Sequence, residues 1–177
     1  MNYHTITYPD QNNGDGLRVV LWLSGCSHHC YNCQNPQTWD VNSGIPFDES
    51  AKKELFRELD KDYISGLTLS GGDPLHEANL DGVLDLVNEI RLSFPNKSIW
   101  IYSGYRWSEI FNDGVYLTKE CAGWKRREIV KKCTVMVDGR YIDSQRNPSK
   151  KWAGSDNQHV IDIQQSLQKG EVVLWTD

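Results

Sequence analysis

The stretch Arg18-Val-Val-Leu-Trp-Leu-Ser-Gly-Cys-Ser-His-His-Cys-Tyr-Asn-Cys33 decides how this chain folds and where its chemistry lies. Its first seven residues form an apolar run with β-branched and aromatic side chains. Such a run predicts a strand that is buried on both faces, as the strands of parallel sheets are. Cys26, Cys30 and Cys33 follow within eight residues, in a C-x3-C-x2-C arrangement. A buried strand therefore leads directly into a loop that is rich in thiols.

Outward from this stretch, apolar runs alternate with helical patterns. Further strands are predicted at 66–70, 98–102 and 134–137, with shorter ones at 159–163 and 172–175; helices are predicted at 48–59, 79–92 and 124–132, with a helical turn at 107–111. Alternating β and α units imply a parallel sheet with right-handed crossovers. Four or five such units are too few for a closed eight-fold barrel. We therefore expect an α/β fold, a partial (β/α) barrel or open sheet, in one domain over residues 1–177.

Small or polar residues follow each of the four main predicted strands. They lie at 24–26, 70–74, 103–104 and 138–140. In parallel α/β folds, ligands bind outside the carboxyl ends of the strands. We therefore expect the cysteine loop and the Gly71-Gly72 loop to share one site.

The composition argues against several classes of function. The 177 residues carry 19 Lys and Arg against 24 Asp and Glu, a net charge of −5, whereas a dedicated nucleic-acid binder is usually basic. No apolar run approaches the ~18 residues of a membrane span, and the N-terminus lacks the features of a secretory signal. We expect a cytoplasmic protein that binds neither nucleic acid nor membrane. In such a chain, clustered cysteines favour metal or redox chemistry over disulfides.

Three cysteines on one tight loop suit an iron–sulfur cluster better than structural zinc. Structural zinc is usually held by four ligands, and a closed 4Fe-4S cluster by four thiolates. Three thiolates can hold three corners of a 4Fe-4S cubane and leave the fourth iron open to a ligand. Two alternatives stay open: a zinc site with His28 or His29 as fourth ligand, and a closed-cluster electron carrier with Cys121 or Cys133 as fourth ligand.

Several motifs together resemble a known family. The C-x3-C-x2-C loop after the first strand is similar to the signature of the radical S-adenosylmethionine enzymes. Further segments resemble the glycyl-radical activases of anaerobic ribonucleoside-triphosphate reductases: 16–26, Asn35-Pro-Gln-Thr-Trp39, 41–44, Leu69-Ser-Gly-Gly-Asp-Pro-Leu75, 100–105, 137–139 and 154–158. The resemblance covers roughly residues 1–163, and it implies a fold of the radical S-adenosylmethionine type.

The resemblance implies a role for each residue of the cysteine loop. Cys26, Cys30 and Cys33 would ligate a 4Fe-4S cluster, and the unligated iron would take the amino and carboxylate groups of S-adenosylmethionine. The backbone at Asn32, Cys33 and Gln34 would pass the adenine. Gln34 departs from the family pattern, in which an aromatic residue often follows the third cysteine; Tyr31 is the nearest candidate for stacking.

The remaining site residues implied by the resemblance lie on the later loops. Gly71, Gly72 and Asp73 would receive the methionyl ammonium, since glycines let backbone carbonyls approach a ligand closely and a carboxylate suits a cation. The positions where related activases contact the ribose and carboxylate are Ser103, Asp138 and Arg140, and Asn157 and Gln158 would also be within reach. Ala153 stands where the family often carries Arg, so any anion contact made by that Arg is missing here.

The reaction that the resemblance implies is one-electron reductive cleavage of S-adenosylmethionine. Methionine and a 5′-deoxyadenosyl radical form, and the radical abstracts a hydrogen atom from a glycine Cα on the glycyl-radical subunit of anaerobic ribonucleoside-triphosphate reductase. The family usually takes its electron from a flavodoxin-type donor. The protein positions the reactants while the cofactors supply the chemistry. An activase of another glycyl-radical enzyme, of the pyruvate formate-lyase type, is the nearest alternative, although those activases are generally longer.

Overall fold

The computed structural model describes residues 1–111, 118 and 121–176. Within them the strands are β1 (Asn2–Asp10), β2 (Arg18–Leu23), β3 (Ile45–Pro46), β4 (Gly66–Gly71), β5 (Ser98–Tyr102), β6 (Val135–Asp138) and β7 (His159–Asp162). They form one seven-stranded sheet in the order β3-β1-β2-β4-β5-β6-β7. The four strands β2, β4, β5 and β6 run parallel, and β1, β3 and β7 pair antiparallel. The predicted α/β fold with a mostly parallel sheet is confirmed.

The described helices are α1 (Glu49–Leu59), α2 (Leu80–Ser93), α3 (Trp107–Ile110), α4 (Ala122–Lys131) and α5 (Ile163–Lys169). Helix α1 begins where the Asp48 side chain accepts hydrogen bonds from the backbone N–H groups of Ser50 and Ala51, which otherwise lack intrahelical partners. Helices α1 to α4 confirm the four predicted helical segments, with ends that differ by one or two residues. None of the described helices is long and apolar enough to cross a bilayer.

The two faces of the sheet carry different side chains, because successive residues of a strand point to opposite sides. Ile99 and Ile101 of β5 join the main core, which α1, α2 and α4 cover. Trp100 lies between them and points to the other side, where its ring centroid is 5.7 Å from that of Trp152 and 5.8 Å from that of Trp175. We call this second side the inner face. Loops and aromatic side chains cover it instead of helices.

The antiparallel parts of the sheet are where the sequence-based expectations differ from the structure. Strand β1 has a mostly polar sequence, Asn-Tyr-His-Thr-Ile-Thr-Tyr-Pro-Asp. This fits its place next to the short strand β3 at the rim of the sheet, where it stays partly exposed. A search for apolar runs therefore misses β1, and it also misses helix α5. The strand predicted at 172–175 is wrong: in the described structure this segment contributes one isolated bridge, from Leu174 to Ile161.

The sheet does not close on itself. Strand β3, two residues long, is one edge and β7 is the other, and in the described part of the chain no strand pairing joins them. The expectation of a partial barrel is confirmed. Because the four parallel strands end at the same rim, the loops that follow them lie side by side.

Candidate functional site

The loops after the four parallel strands surround one cavity of about 130 Å³. Its lining includes Cys26, Cys30 and Cys33 after β2, residues 71–73 at the end of β4, residues 103–104 after β5, and residues 139–140 after β6. We call this space the cysteine cavity. The prediction that the cysteine loop and the glycine loop share one site is confirmed.

The cysteine loop is held in shape by its own backbone. The N–H of Cys33 donates to the carbonyl of Cys30 at 3.1 Å, and the N–H of Asn35 donates to the Cys33 sulfur at 3.4 Å. His29 and Asn32 have positive φ angles of 46° and 55°, which turn the chain tightly between the cysteines. All three cysteines are partly buried free thiols. The loop therefore presents them to the cavity without enclosing them in the core.

Burial makes two of these thiols reluctant to ionise. Desolvation raises the pKa of Cys26 from 9.0 to about 11, although hydrogen bonding to the backbone of His28 lowers it in part. Desolvation also raises the pKa of Cys30, against a hydrogen bond to the backbone of Tyr141 that lowers it. Both side chains therefore hold their protons at neutral pH, and a bound metal must displace them.

The residues present fit a 4Fe-4S cluster. Thiolates are the usual ligands of such clusters, and here three thiols share one cavity together with backbone N–H groups that hydrogen-bond to sulfur. Iron would neutralise the thiolate charge that burial disfavours. Among the described residues that line the cysteine cavity there is no fourth cysteine. Cys26, Cys30 and Cys33 would hold three irons, and the fourth would be left for another ligand.

The two remaining cysteines lie elsewhere, which argues against a closed cluster. Cys133 is completely buried in the main core, and its thiol donates to the carbonyl of Ile129 at 3.3 Å. Cys121 precedes α4, and its sulfur accepts a hydrogen bond from the backbone N–H of Trp124 at 3.4 Å. Neither lines the cysteine cavity. Both are free thiols.

The zinc alternative also lacks a ligand set. His28 uses Nε2 to contact Asp73 at 2.7 Å, and the His29 ring packs against Trp39 with ring centroids 4.8 Å apart. Within the described part of the chain, no three histidine, cysteine or carboxylate side chains are gathered closely enough to hold a single metal ion. A cubane presents its ligands on separate iron corners, so it tolerates a wider spacing of the thiols.

Asp73 is the most highly connected side chain of the site. Its carboxylate, 2% exposed, lies 2.7 Å from Nε2 of His28 and accepts hydrogen bonds from the Ser103 hydroxyl at 2.9 and 3.1 Å. It also accepts the backbone N–H of Gly104 at 3.0 Å and that of Leu75 at 2.8 Å. Since protein groups already surround this carboxylate, it can favour a nearby cation through its charge more readily than through direct contact.

The two glycines before Asp73 bring the backbone unusually close to the neighbouring chain. Gly71 has a φ of +99°, and a Cβ there would lie 2.7 Å from the backbone N and O of Leu23. A Cβ on Gly72 would lie 2.6 Å from the carbonyl oxygen of Gly25. Only glycine fits such approaches without displacement of the chain. The glycine loop is thus packed directly against the strand end that leads into the cysteine loop.

The other residues predicted from the resemblance are distributed more widely. Arg140 is exposed and lines the cysteine cavity, whereas Gln34 lines a neighbouring cavity and Asn32 lines neither. Asp138 is buried and lines a separate cleft; its carboxylate accepts hydrogen bonds from the backbone N–H groups of Trp107 and His159, at 2.8 and 3.1 Å. The sequence predicted Asp138 directly after a strand; in the structure it is the last residue of β6, and its side chain is turned to another part of the surface.

The amides of the 154–158 segment are committed to the loop after β6. The Gln158 side chain donates to the carbonyl of Gly139 at 2.9 Å and accepts from the backbone N–H of Gly154 at 2.9 Å. Asn157 donates to the carbonyl of Arg140 at 2.8 Å. These side chains therefore fix the loop that carries Arg140, and Gln158 also lines the cysteine cavity.

A second cavity of about 420 Å³ lies beside the cysteine cavity on the inner face. We call it the inner cavity. It shares Cys30, Cys33 and Tyr102 with the cysteine cavity and extends to Trp22 and Trp152. Sequence reasoning did not assign Tyr102 to the site, although its position two residues after Trp100, at the end of a strand, was a usable signal. Trp152 has a φ of 64°, a strained conformation for a non-glycine residue.

The buried thiol of Cys133 gives a prediction for the protein without its cluster. Burial raises the pKa of Cys133 from 9.0 to about 12, so between these values the folded chain keeps a proton that the unfolded chain loses. The free energy of unfolding should therefore fall as pH rises above 9, by about 1.4 kcal/mol per pH unit from this group. Denaturant titrations at pH 8.5 to about 10.5 should show a shallower fall for Cys133→Ala than for the wild type; equal slopes would contradict the assignment.

Comparison with known proteins shows which family the chain belongs to. A family model described as a 4Fe-4S single cluster domain matches residues 12–161. The chain is 38% identical over 162 residues to the anaerobic ribonucleoside-triphosphate reductase-activating protein of Escherichia coli (strain K12), a match that covers 90% of this chain and 97% of that protein. The protein of the same name from Enterobacteria phage T4 is 40% identical over 161 residues, covering 90% and 93%.

A third relative, from Haemophilus influenzae, carries the same name and is 35% identical over 162 residues, covering 90% of this chain and 97% of that protein. The family match supports an iron–sulfur cluster in this chain, in agreement with the three thiols of the cysteine cavity. With matches of this extent, the chain belongs to the family of the anaerobic ribonucleoside-triphosphate reductase-activating proteins, built on a 4Fe-4S single cluster domain.

Proposed function

We propose that this chain activates an anaerobic ribonucleoside-triphosphate reductase by generating a glycyl radical on it. Cys26, Cys30 and Cys33 would hold the 4Fe-4S cluster, and S-adenosylmethionine would bind at the iron without a cysteine. The observation that carries the proposal is the shared lining of the cysteine cavity, in which three thiols face the Gly71-Gly72 loop while the other two cysteines lie elsewhere. When bound, the two cofactors supply one-electron cleavage of the sulfonium to a 5′-deoxyadenosyl radical.

The chain's own residues would bind and orient S-adenosylmethionine. The backbone carbonyls of Gly71 and Gly72 would receive the methionyl ammonium, and the buried negative charge of Asp73 would favour that cation. Arg140, which is exposed and lines the same cavity, would attract the carboxylate. The backbone at 32–34 would pass the adenine. No proton-transferring side chain is required, since the protein contributes position and exclusion of water.

Two of the residues carried over from the family would act through neighbouring loops. Ser103 donates its hydroxyl proton to Asp73 and accepts the backbone N–H of Tyr105 at 3.1 Å. Asp138 joins the backbone N–H groups of Trp107 and His159. Both hold the rim of the site in shape, and in this way they would set the position of a bound ribose and carboxylate.

The inner cavity is the proposed entry for the segment of the reductase that carries the target glycine. The relatives' names state that they act on the reductase, and a radical formed at the cluster must be within contact distance of the group it attacks. The inner cavity adjoins the cysteine cavity through Cys30, Cys33 and Tyr102, and at about 420 Å³ it is the larger space. A flavodoxin-type donor in the cytoplasm would supply the electron.

Anaerobic reconstitution tests the proposal. The chain would be loaded with iron and sulfide, reduced, and given S-adenosylmethionine. We expect methionine and 5′-deoxyadenosine, and in the presence of the reductase we expect the EPR signal of a glycyl radical. An intact, reduced cluster that yields neither product would contradict the proposed function. A glycyl radical on pyruvate formate-lyase, but not on the reductase, would instead identify the alternative partner.

A bulky side chain at position 153 should separate the two half-reactions. Ala153 lines the inner cavity but not the cysteine cavity. In Ala153→Trp the glycyl-radical yield on the reductase should fall by about tenfold or more, because the glycine segment is displaced from its reactive position. Formation of 5′-deoxyadenosine without the reductase should fall much less, because Ala153 does not line the cysteine cavity. Ala153→Ser is the matched control and should retain both activities; equal loss of both in Ala153→Trp would contradict this use of the inner cavity.

A further inference from the structure

His28 is a buried polar side chain of the cysteine loop that the proposed chemistry does not use. Its side chain is 5% exposed, and Nε2 lies 2.7 Å from a carboxylate oxygen of Asp73, 45 positions along the chain. The neighbouring His29, by contrast, is exposed. Two adjacent histidines between Cys26 and Cys30 thus have different surroundings, and only the first is directed into the protein.

The partner of His28 joins three of the loops that form the cysteine cavity. The Asp73 carboxylate belongs to the glycine loop and accepts the backbone N–H of Leu75 in the same loop. It also accepts the Ser103 hydroxyl and the backbone N–H of Gly104, which follow β5. His28 adds the cysteine loop. One carboxylate is therefore the common point at which these three loops are held together.

Packing fixes the His28 ring in this contact. The ring meets Tyr105 edge to face, with centroids 4.8 Å apart. A Cβ on Gly104 would lie 2.2 Å from a carbon of the His28 ring, so the ring rests directly on the Gly104 backbone. The guanidinium of Arg126 covers Tyr105 at 4.4 Å and donates to the carbonyl of Leu75 at 2.9 Å. The imidazole has little room to turn away from Asp73.

We propose that His28 is a positioning residue, which fixes the cysteine loop on Asp73 so that the open iron of the cluster faces the Gly71-Gly72 backbone. The proposal rests on the proposed function, since it concerns the same site. His28 lies between two cluster ligands, and a shift of the loop would move both sulfurs. Sites that position reactants lose much of their effect when a group moves by about 1 Å. Loss of the His28 contact should therefore weaken S-adenosylmethionine binding without removal of the cluster.

The two adjacent histidines allow a matched experiment. His28→Asn shortens the side chain so that it no longer reaches Asp73, and His29→Asn makes the same change one residue later, at a positive φ that asparagine tolerates. Both variants are reconstituted anaerobically, and iron and sulfide per chain are measured first. The dissociation constant of S-adenosylmethionine and the change that it causes in the EPR spectrum of the reduced cluster are then compared with the wild type.

We expect both variants to retain the cluster. His28→Asn should bind S-adenosylmethionine about tenfold more weakly or worse, with a smaller spectral response, because one buried hydrogen bond to a charged group is lost. His29→Asn should match the wild type. His28→Gln, whose amide can donate to Asp73 from a similar reach, should recover part of the affinity. Recovery by His28→Gln separates positioning from simple loss of packing, and it keeps the test valid if His28→Asn folds poorly.

Three results would overturn the proposal. They are wild-type affinity and spectrum in His28→Asn, an equal effect in His29→Asn, and loss of iron from both His28→Asn and His28→Gln, which would make His28 a cluster ligand. A double-mutant cycle with Asp73→Asn adds a further condition, since residues of one contact should be non-additive. Failure of the proposed function looks different, because the wild-type cluster itself would then not respond to S-adenosylmethionine.

Discussion

Replacement of Cys30 by alanine is expected to abolish the cluster and, with it, all cleavage of S-adenosylmethionine. Cys30 lines both the cysteine cavity and the inner cavity, and a cluster held by three thiolates has no spare protein ligand to take over. Iron and sulfide per chain, measured after anaerobic reconstitution, should fall to background, and the visible charge-transfer absorption of the cluster should be lost. The folded chain should persist, because the Cys30 side chain contributes only partly buried surface.

The matched controls are Cys121→Ala and Cys133→Ala, which should keep a full complement of iron and sulfide. The Cys121 sulfur accepts a hydrogen bond from the backbone N–H of Trp124, and Cys133 is enclosed in the main core. Cys121→Ala would lose a helix cap, and Cys133→Ala would leave a small cavity in the core. Each change would lower the stability of the fold without removing a cluster ligand. Loss of the cluster in either control would favour the closed-cluster electron carrier. Retention of a full cluster in Cys30→Ala would also contradict the assignment.

Replacement of Gly71 by alanine should damage both the fold and the site. The backbone at Gly71 has a φ of +99°, and the new Cβ would meet the backbone of Leu23 at 2.7 Å. Strain at this φ and displacement of the adjacent strand should together lower the free energy of unfolding by about 3 kcal/mol or more. Denaturant unfolding of the protein without cluster would measure the loss, and S-adenosylmethionine binding by the reconstituted variant should fall in parallel.

Gly170 offers a control with a similar conformation and no crowding. Its φ is +72°, and a Cβ there meets no atom within 4 Å. Gly170→Ala should therefore lose only about 1 kcal/mol, from the unfavourable φ alone. If the two alanine variants were equally stable, the close approach of Gly71 to Leu23 would not be a constraint on the fold.

The parallel part of the sheet could be predicted because its strands are buried on both faces. The run from Val19 to Leu23 is apolar throughout, and such runs are visible in a single sequence. Strand β1 is different, since it pairs with β2 along most of its length but with β3 at only two positions, and so it stays partly exposed. Its polar residues carry no periodic signal of that pairing. The short strand β3, which pairs with β1 over two positions, is set entirely by tertiary contact.

The candidate site could be predicted where local spacing decides it and not where distant contacts do. The three cysteines lie on one loop, so their sequence spacing already indicates a shared ligand. The contact between His28 and Asp73 joins positions 45 residues apart, and nothing local distinguishes His28 from His29. For Asp138, the position near the end of a strand could be predicted from the sequence. The direction of its side chain could not, because it depends on hydrogen bonds from the backbone N–H groups of Trp107 and His159.

Under the proposed function, the gap between strands β3 and β7, where no pairing joins the two edges in the described structure, would bear on how the reductase is admitted. A fully closed barrel would have to be entered through one end, so a loop tethered at both its termini would need to be threaded. A lateral opening lets such a loop be laid in sideways while its own domain stays folded. Under the proposed function, the reductase would cover the open side of the sheet, and shielding of the reactive radical would be a property of the complex.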